Sequence, residues 1–457
     1  MRFLQWSLGV VLVLALVLVA GYAVSRAMGP AEGERQALAL IDAPPAAASG
    51  RDGFAALYTS RHDVPVDRQA GVVAEDVRRF AASRPPDADG AGGQWDSVLD
   101  DWPLLEAAGG QGGAWCRRGG DSCLDQVRAA PEAYAQLLAR NAGLLDRAEA
   151  LRGYDHFRNP FPPRLDMPLP AFQNLVRLGT RTAWRFHAGQ VDAALADACA
   201  DTALGARMIE SGDTLIGSMI GAALVRENTA LLAQMLAGLP REHPLPAQCA
   251  ATFARPLALD QGLCRTMGNE GRLVISGMRE HADVSFAASA VEADLPEWAA
   301  RLLFDPERTA ARMAPAFAWY CGDQARDLLA RDLPLDGPAP PHSRLSLRCA
   351  SNAIGCILAD IARPAYGDYG RRLQDAGAQL RGMTVLLQLR AQDGPIDPVA
   401  LERLPAPLSG GARPLLLDPE AATLGVALYG HLAEADAART WSLPLPASRL
   451  QAVAPSP

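Results

Sequence analysis

Residues 191–238 read VDAALADACADTALGARMIESGDTLIGSMIGAALVRENTALLAQMLAG, and their reading decides the fold. Apolar residues recur at helical spacing from Val191 to Glu210, Gly212 breaks the run, and Asp213 stands where a cap would open a second helix reaching about Gly238. Helices joined by so short a connection have to run antiparallel, as in bundles and stacked hairpins. The second helix contains LIGSMIGAALV, with Gly217 and Gly221 four apart. Eleven apolar residues are too few to cross a bilayer, and Arg226 and Glu227 end the run, so a buried helix packed through its small residues is expected.

The same periodicity extends outward. Pro131 opens a stripe through Tyr134, Leu137, Leu138, Leu145, Ala148 and Leu151, and Pro170 opens another with Phe172, Leu175, Val176, Ala183 and Phe186 inward. Further helices are expected over 73–82, 295–303, 306–331 with a kink at Pro315, 346–361 and 371–391. The stretches 85–93 and 109–113 read as loose connectors, and PLDGPAPP at 334–341 as an internal linker and candidate subdomain boundary. The segment 412–430, ARPLLLDPEAATLGVALYG, reads as two apolar strands around a turn at Asp418 and Pro419. The expected fold is therefore mainly α: an N-terminal transmembrane helix, a helical-hairpin array or bundle, and a small C-terminal β-hairpin element. Its parts are an anchor at 1–26, a flexible linker at 27–53, a mainly helical exported domain at 54–395, and a β-containing element with its tail at 396–457. In outline the helix, loop and hairpin at this end are similar to the end of type II secretion pseudopilins, without a shared motif. The apolar N-terminal run lacks a prepilin processing site and an initial Glu, and no family is assigned.

Residues 7–24, SLGVVLVLALVLVAGYAV, carry no charge and have Trp6 and Tyr22 near their ends, where amphipathic rings favour a membrane interface. The run is long for a cleaved signal, and Ser25 with Ala27 makes a poor cleavage site, so an uncleaved anchor in the lipid bilayer is expected. Eight cysteines support export, with the body of a single-pass inner-membrane protein in the bacterial periplasm. Proximity in sequence pairs Cys116 with Cys123, Cys349 with Cys356 and Cys249 with Cys264, leaving Cys199 for Cys321.

All 43 basic residues are Arg. Without Lys there is no Walker A lysine, no Schiff base for a pyridoxal cofactor and no Ser/Lys dyad. A net charge of −8 without a dense Arg cluster argues against nucleic acid as a partner. No cofactor motif occurs, and dispersed His with no C-x-x-C pair gives no metal site. In the densest polar cluster Tyr154, Asp155 and His156 pair an acid with a His and would serve acid/base chemistry while Arg158 binds an anionic group, or else the cluster caps and packs a helix end. Arg177, Arg181 and Arg185 recur every four residues, a row able to grip an acidic partner or simply a solvated face. HExxH, GxSxG and DxDxDG are all absent. The expected function is protein–protein binding by a membrane-anchored periplasmic protein, as an envelope scaffold, assembly factor or immunity-type inhibitor. An envelope hydrolase with a non-standard acid/His site is the alternative.

Overall fold

The computed structural model describes residues 2–45, 47–84, 95–105, 115–116, 122–280, 297–338, 341–392, 396–405, 408, 411–430 and 440–446. The connectors expected at 85–93 and 109–113 lie outside these. Helices α1 (Arg2–Met28), α2 (Glu32–Asp42), α3 (Phe54–Tyr58) and α4 (Val66–Ala82) lead to α5 (Cys123–Ala129), α6 (Pro131–Arg140), α7 (Ala142–Ala150) and α8 (Gln173–His187). The central hairpin is α9 (Val191–Ser211) and α10 (Leu215–Ala237). After it come α11 (Ala247–Thr252), α12 (Leu259–Glu280), α13 (Glu297–Leu302), α14 (Pro306–Ala318), α15 (Asp323–Ala330), α16 (Ala353–Ala391) and α17 (Pro398–Glu402). The chain is thus mainly helical.

The hairpin is the centre of the core. Gly205 on α9 meets Gly221 on α10 so closely that a methyl group on either would lie 2.6 Å from the other's carbonyl oxygen. The small residues therefore bring the two backbones together, as expected of LIGSMIGAALV. Gly212 ends α9 in the left-handed conformation with φ 57°. The cap of α10 is Thr214, whose hydroxyl accepts from the Gly217 amide, rather than Asp213. α10 also packs on α16, and α14 packs on α12 and α2.

Three expectations are corrected. The linker at 27–53 contains α2, whose Ile41 is fully buried beside Ile275 of α12 and Phe317 of α14; an apolar stripe on a short helix has found a partner face. The helices expected at 346–361 and 371–391 belong largely to one, α16, preceded by a 3-10 turn at Leu347–Cys349. Its interior glycines are tolerated through packing: Gly370 lies against the Tyr320 ring, while Tyr366 stacks edge-on to Phe317 at 4.5 Å. The start of the 334–341 stretch is pinned, since Leu335 is fully buried and its amide donates to Gln374 Oε1 at 3.0 Å.

At the C-terminal end β1 (Leu415–Asp418) and β2 (Thr423–Ala427) pair antiparallel around the Asp418–Pro419 turn, with Leu415 opposite Val426. A third strand, β3 (Thr440–Pro444), extends the sheet in the order β1-β2-β3. Leu424, Val426 and Leu443 point inward and join the core on the α10 and α16 side.

Four disulfides close the structure: Cys116–Cys123, Cys199–Cys249, Cys264–Cys321 and Cys349–Cys356. The expected pairs Cys249–Cys264 and Cys199–Cys321 are corrected. α12 begins between Cys249 and Cys264 and turns Cys264 towards the 3-10 turn at Trp319–Cys321, while Cys249 on α11 faces α9.

α1 is a continuous helix, and the most apolar stretch of its Gln5–Met28 segment has mean hydropathy 2.6 with none of it buried. α10 is also apolar enough to cross a membrane, but more than half of it is buried by its neighbours, which fits a core helix.

Candidate functional site: a lateral apolar cleft

The arginine row is not an open surface. Arg181 pairs with Asp146 at 2.7 Å and Glu149 at 3.2 Å, and Arg185 pairs with Glu149 at 3.1 Å and with Asp197. Arg152 joins the same network through Asp197 and the fully buried Asp201, both at 2.7 Å. Arg177 donates to Asn174 at 2.9 Å and lies over the Trp115 ring. All three arginines are half-buried, and for Arg181 and Arg185 α7 and α9 supply the acids that the helix period turns them towards. Reversing their charge would break the fold before it tested a partner.

The 154–158 cluster is a clasp. Asp155 Oδ2 accepts from the Arg51 amide at 2.7 Å, and the Gly53 amide donates to the His156 carbonyl at 2.8 Å. Asp52 Oδ1 accepts from the Phe54 and Arg158 amides, and Asp52 Oδ2 stands 3.8 Å from His156 Nε2. Arg51 lies over the Tyr154 ring. Tyr154, Asp155, His156 and Arg158 therefore tie residues 50–54 to the body, and this end of the expected linker is held in place.

Asp213, one loop away, accepts from the Asn159 amide at 3.0 Å. Burial pushes its carboxyl up to about 6 against the opposing pull of that amide and of Arg158. Because this folded value exceeds 3.8, the stabilising contribution is complete at low pH and is lost as pH rises through the interval between the two values. The ionised form then costs up to about 3 kcal/mol. Asp213→Asn is expected to raise the melting temperature by a few degrees at about pH 8 and by less than half as much at about pH 4.5, where only about a third of the ionisation cost is present. Melting curves at the two pH values check this; a shift of equal size at both would show that ionisation is not the cause.

His342, Cys349 and Cys356 place ligand atoms within 4.8 Å of one another, a grouping that spacing in the sequence did not suggest. His342 Nε2 is 3.6 Å from Cys349 Sγ, and its Nδ1 is 3.5 Å from Glu34 Oε1. Both sulfurs are bonded to each other, so in this oxidised form they do not act as thiolate ligands. Burial, with Arg312 nearby, lowers the His342 pKa.

A cleft of about 640 Å³ lies on the flank of the central hairpin. α10 supplies Ile216, Met219 and Arg226, α12 supplies Glu270 and Leu273, and α16 supplies Tyr369, Arg372 and Asp375. Met167, Leu169 and Leu428, the last just after β2, also line it. Its walls are predominantly apolar. Burial raises the Glu270 carboxyl despite a hydrogen bond with Tyr366. Asp375 is also raised by burial, and it is committed to structure, accepting from the amides of Tyr429 and Gly430 and from Arg413. Arg372 pairs with Asp368 at 2.7 Å and lies over Tyr369. Among the described lining residues there is no Ser, Cys or His, and the Thr214 hydroxyl is used as the α10 cap. The cleft can desolvate apolar groups, and the two guanidinium groups in its lining are each paired with an acid of the same helix, Arg226 with Glu227 at 3.2 Å and Arg372 with Asp368.

Sequence reading missed the cleft because its lining comes from three helices distant in the chain. One signal was present: α10 is apolar on nearly every face, and Ile216 remains 43% exposed beside buried Leu215. Fold and cleft together define a mainly α, four-disulfide protein with an N-terminal apolar helix and a lateral apolar groove. Comparison with protein-family models, curated proteins and solved structures finds no match to this chain.

Proposed function

We propose that the protein is fixed to the bacterial inner membrane by α1, faces the periplasm, and works by holding an apolar segment of a partner protein in the lateral cleft. The cleft itself is the observation that carries this reading. Leu169 and Ile216 stand exposed at its rim, and Met167 and Met219 are side chains that repack around different occupants. An amphipathic helix laid along the groove would bury its apolar anchors there and offer carboxylates to Arg226 and Arg372. Pairing of all eight cysteines supports an oxidising compartment. The hydrolase alternative finds less support, because Tyr154, Asp155 and His156 are drawn into the clasp to residues 50–54.

The test is a photo-reactive amino acid at Met219 in the full chain, used in cells and followed by binding of the purified, captured segment. Ile216→Glu at the exposed rim and Ala222→Trp in the wall are each expected to weaken that binding about ten-fold, by removing apolar contact or filling the space. Full binding by both variants would remove the cleft from the partner interface. Turnover of a periplasmic substrate that Glu270→Gln abolishes would replace binding by catalysis.

A further inference from the structure

α1 does not hang from the body by a loose tether. Tyr22 donates its hydroxyl to the Leu302 carbonyl at 2.9 Å, and Ser25 is fully buried, its hydroxyl 2.9 Å from that of Ser351. Arg308 donates to the Ser25 carbonyl at 3.0 Å, and Arg348 to the Gly29 carbonyl at 2.9 Å. The apolar helix is thereby docked at its C-terminal end onto the 3-10 turn at Leu347–Cys349 and the residues flanking α13 and α14.

Around this junction the surface is unusually apolar. Trp298 and Leu302 on α13 are 67% and 46% exposed, and Leu345, just before the 3-10 turn, is 97% exposed. The amide of Ile354 donates to the Leu303 carbonyl at 3.1 Å, joining α13 to the first turn of α16. From there Ile357, Leu358 and Ile361 follow at the spacing of one helical face, and all three are exposed. An apolar stripe on a helix normally seeks a covering surface, and here the stripe begins where the membrane helix leaves the body. Tyr22 and Arg26, hydrogen-bonded to each other at 3.2 Å, and the exposed Arg344 supply the aromatic and cationic groups that suit the headgroup layer.

We infer that this face is a second membrane contact: Trp298, Leu302, Leu345, Leu347 and the Ile357–Ile361 stripe rest in the headgroup and acyl boundary of the bilayer that α1 crosses. The occupant is lipid rather than a protein because the face is continuous with α1. A methyl at Gly21 would lie 3.9 Å from Leu347 Cδ1, so the body's apolar surface starts on the apolar helix itself. The inference rests on the reading of α1 as an anchor, and it adds that the body is held against the membrane in a fixed orientation. That orientation limits which periplasmic partners can reach the cleft.

The test uses the full chain in lipid nanodiscs, with a photo-reactive amino acid placed singly at Leu14, Leu345, Ile361, Val66 or Leu416, and mass spectrometry of lipid adducts. Val66 and Leu416 are exposed apolar controls on α4 and β1. Adduct yields at Leu345 and Ile361 are expected to approach that at Leu14 and to exceed those of the controls about ten-fold. Adducts at Leu14 with only control-level yields at Leu345 and Ile361 would overturn the docking face and leave the anchor standing. Absence of adducts at Leu14 as well would overturn the anchor reading. In native membranes, protein adducts at Ile361 in place of lipid adducts would assign the face to a partner helix and overturn the inference.

Discussion

Removing the Cys199–Cys249 and Cys264–Cys321 disulfides together, as alanine variants, is expected to abolish stable folding. They close loops with sequence separations of 50 and 57, and the entropy of loop closure gives about 4 kcal/mol for each. Their sum, about 8 kcal/mol, is comparable with the whole stability of an ordinary domain. Removing the two short-range bridges, each with separation 7, is expected to cost about 2.5 kcal/mol apiece and leave a folded chain. The long bridges also hold particular elements together, one fastening α11 to α9 and the other fastening α12 to the turn after α14. Since α12 forms one wall of the cleft, Cys264→Ala with Cys321→Ala is expected to weaken partner binding under conditions where the chain still folds. Urea unfolding of the two pairwise variants measures the stability loss, and non-reducing peptide mapping checks the connectivity. A peptide joining Cys249 to Cys264 would refute it.

Those pairings also mark where the sequence stopped being informative. Helical periodicity is local, so the α9–α10 hairpin, the stripes at Tyr134–Leu151 and Leu175–Ala183, and the β1–β2 hairpin could be read from neighbouring residues. Disulfide partners depend on which face of a helix a cysteine occupies and on what packs there. Proximity in the chain predicted the two pairs with separation 7 and failed for the two that cross between helices. The same limit explains the arginine row. Arg177, Arg181 and Arg185 were visible as one face, but the acids that take up two of them sit on α7 and α9, and nothing in the row announces them. Composition also misled at 27–53, where Ala and Pro suggested a tether although Leu38 and Ile41 could pack and do. The cleft was the least legible feature, since it exists only between helices. Its polar groups, Glu270, Arg226 and Arg372, look like ordinary surface residues in the sequence.

Leu428, just after β2, lines that cleft, and a single side chain should decide whether the C-terminal sheet stays in place beside it. Arg413 is 2% exposed and donates to Asp332 Oδ1 and Asp375 Oδ1, both at 2.6 Å, while lying over the Tyr429 ring at 4.0 Å. It also reaches the Gln374 carbonyl at 3.2 Å and the Ala427 carbonyl at 3.3 Å, so one guanidinium links the end of α15, the middle of α16 and β2. A buried pair of this kind adds little over a well-packed apolar substitute, but removing one partner strands the other. Arg413→Ala is expected to cost about 3 to 5 kcal/mol, because Asp375 would keep its burial and lose its cation. The already raised Asp375 carboxyl should then take up a proton at higher pH, making the variant's deficit smaller in acid than at neutral pH. Arg413→Met with Asp375→Asn removes the buried pair while Asp332 keeps Arg381 at 2.9 Å, and it is expected to recover a large part of the loss, which urea unfolding would measure. Equal instability of the single and double variants would mean that the hydrogen bonds to the Gln374 and Ala427 carbonyls, rather than the ion pair with Asp375, hold the sheet. In either case Leu428 should shift with the sheet, so Arg413→Ala is also expected to lower binding at the cleft before it unfolds the chain.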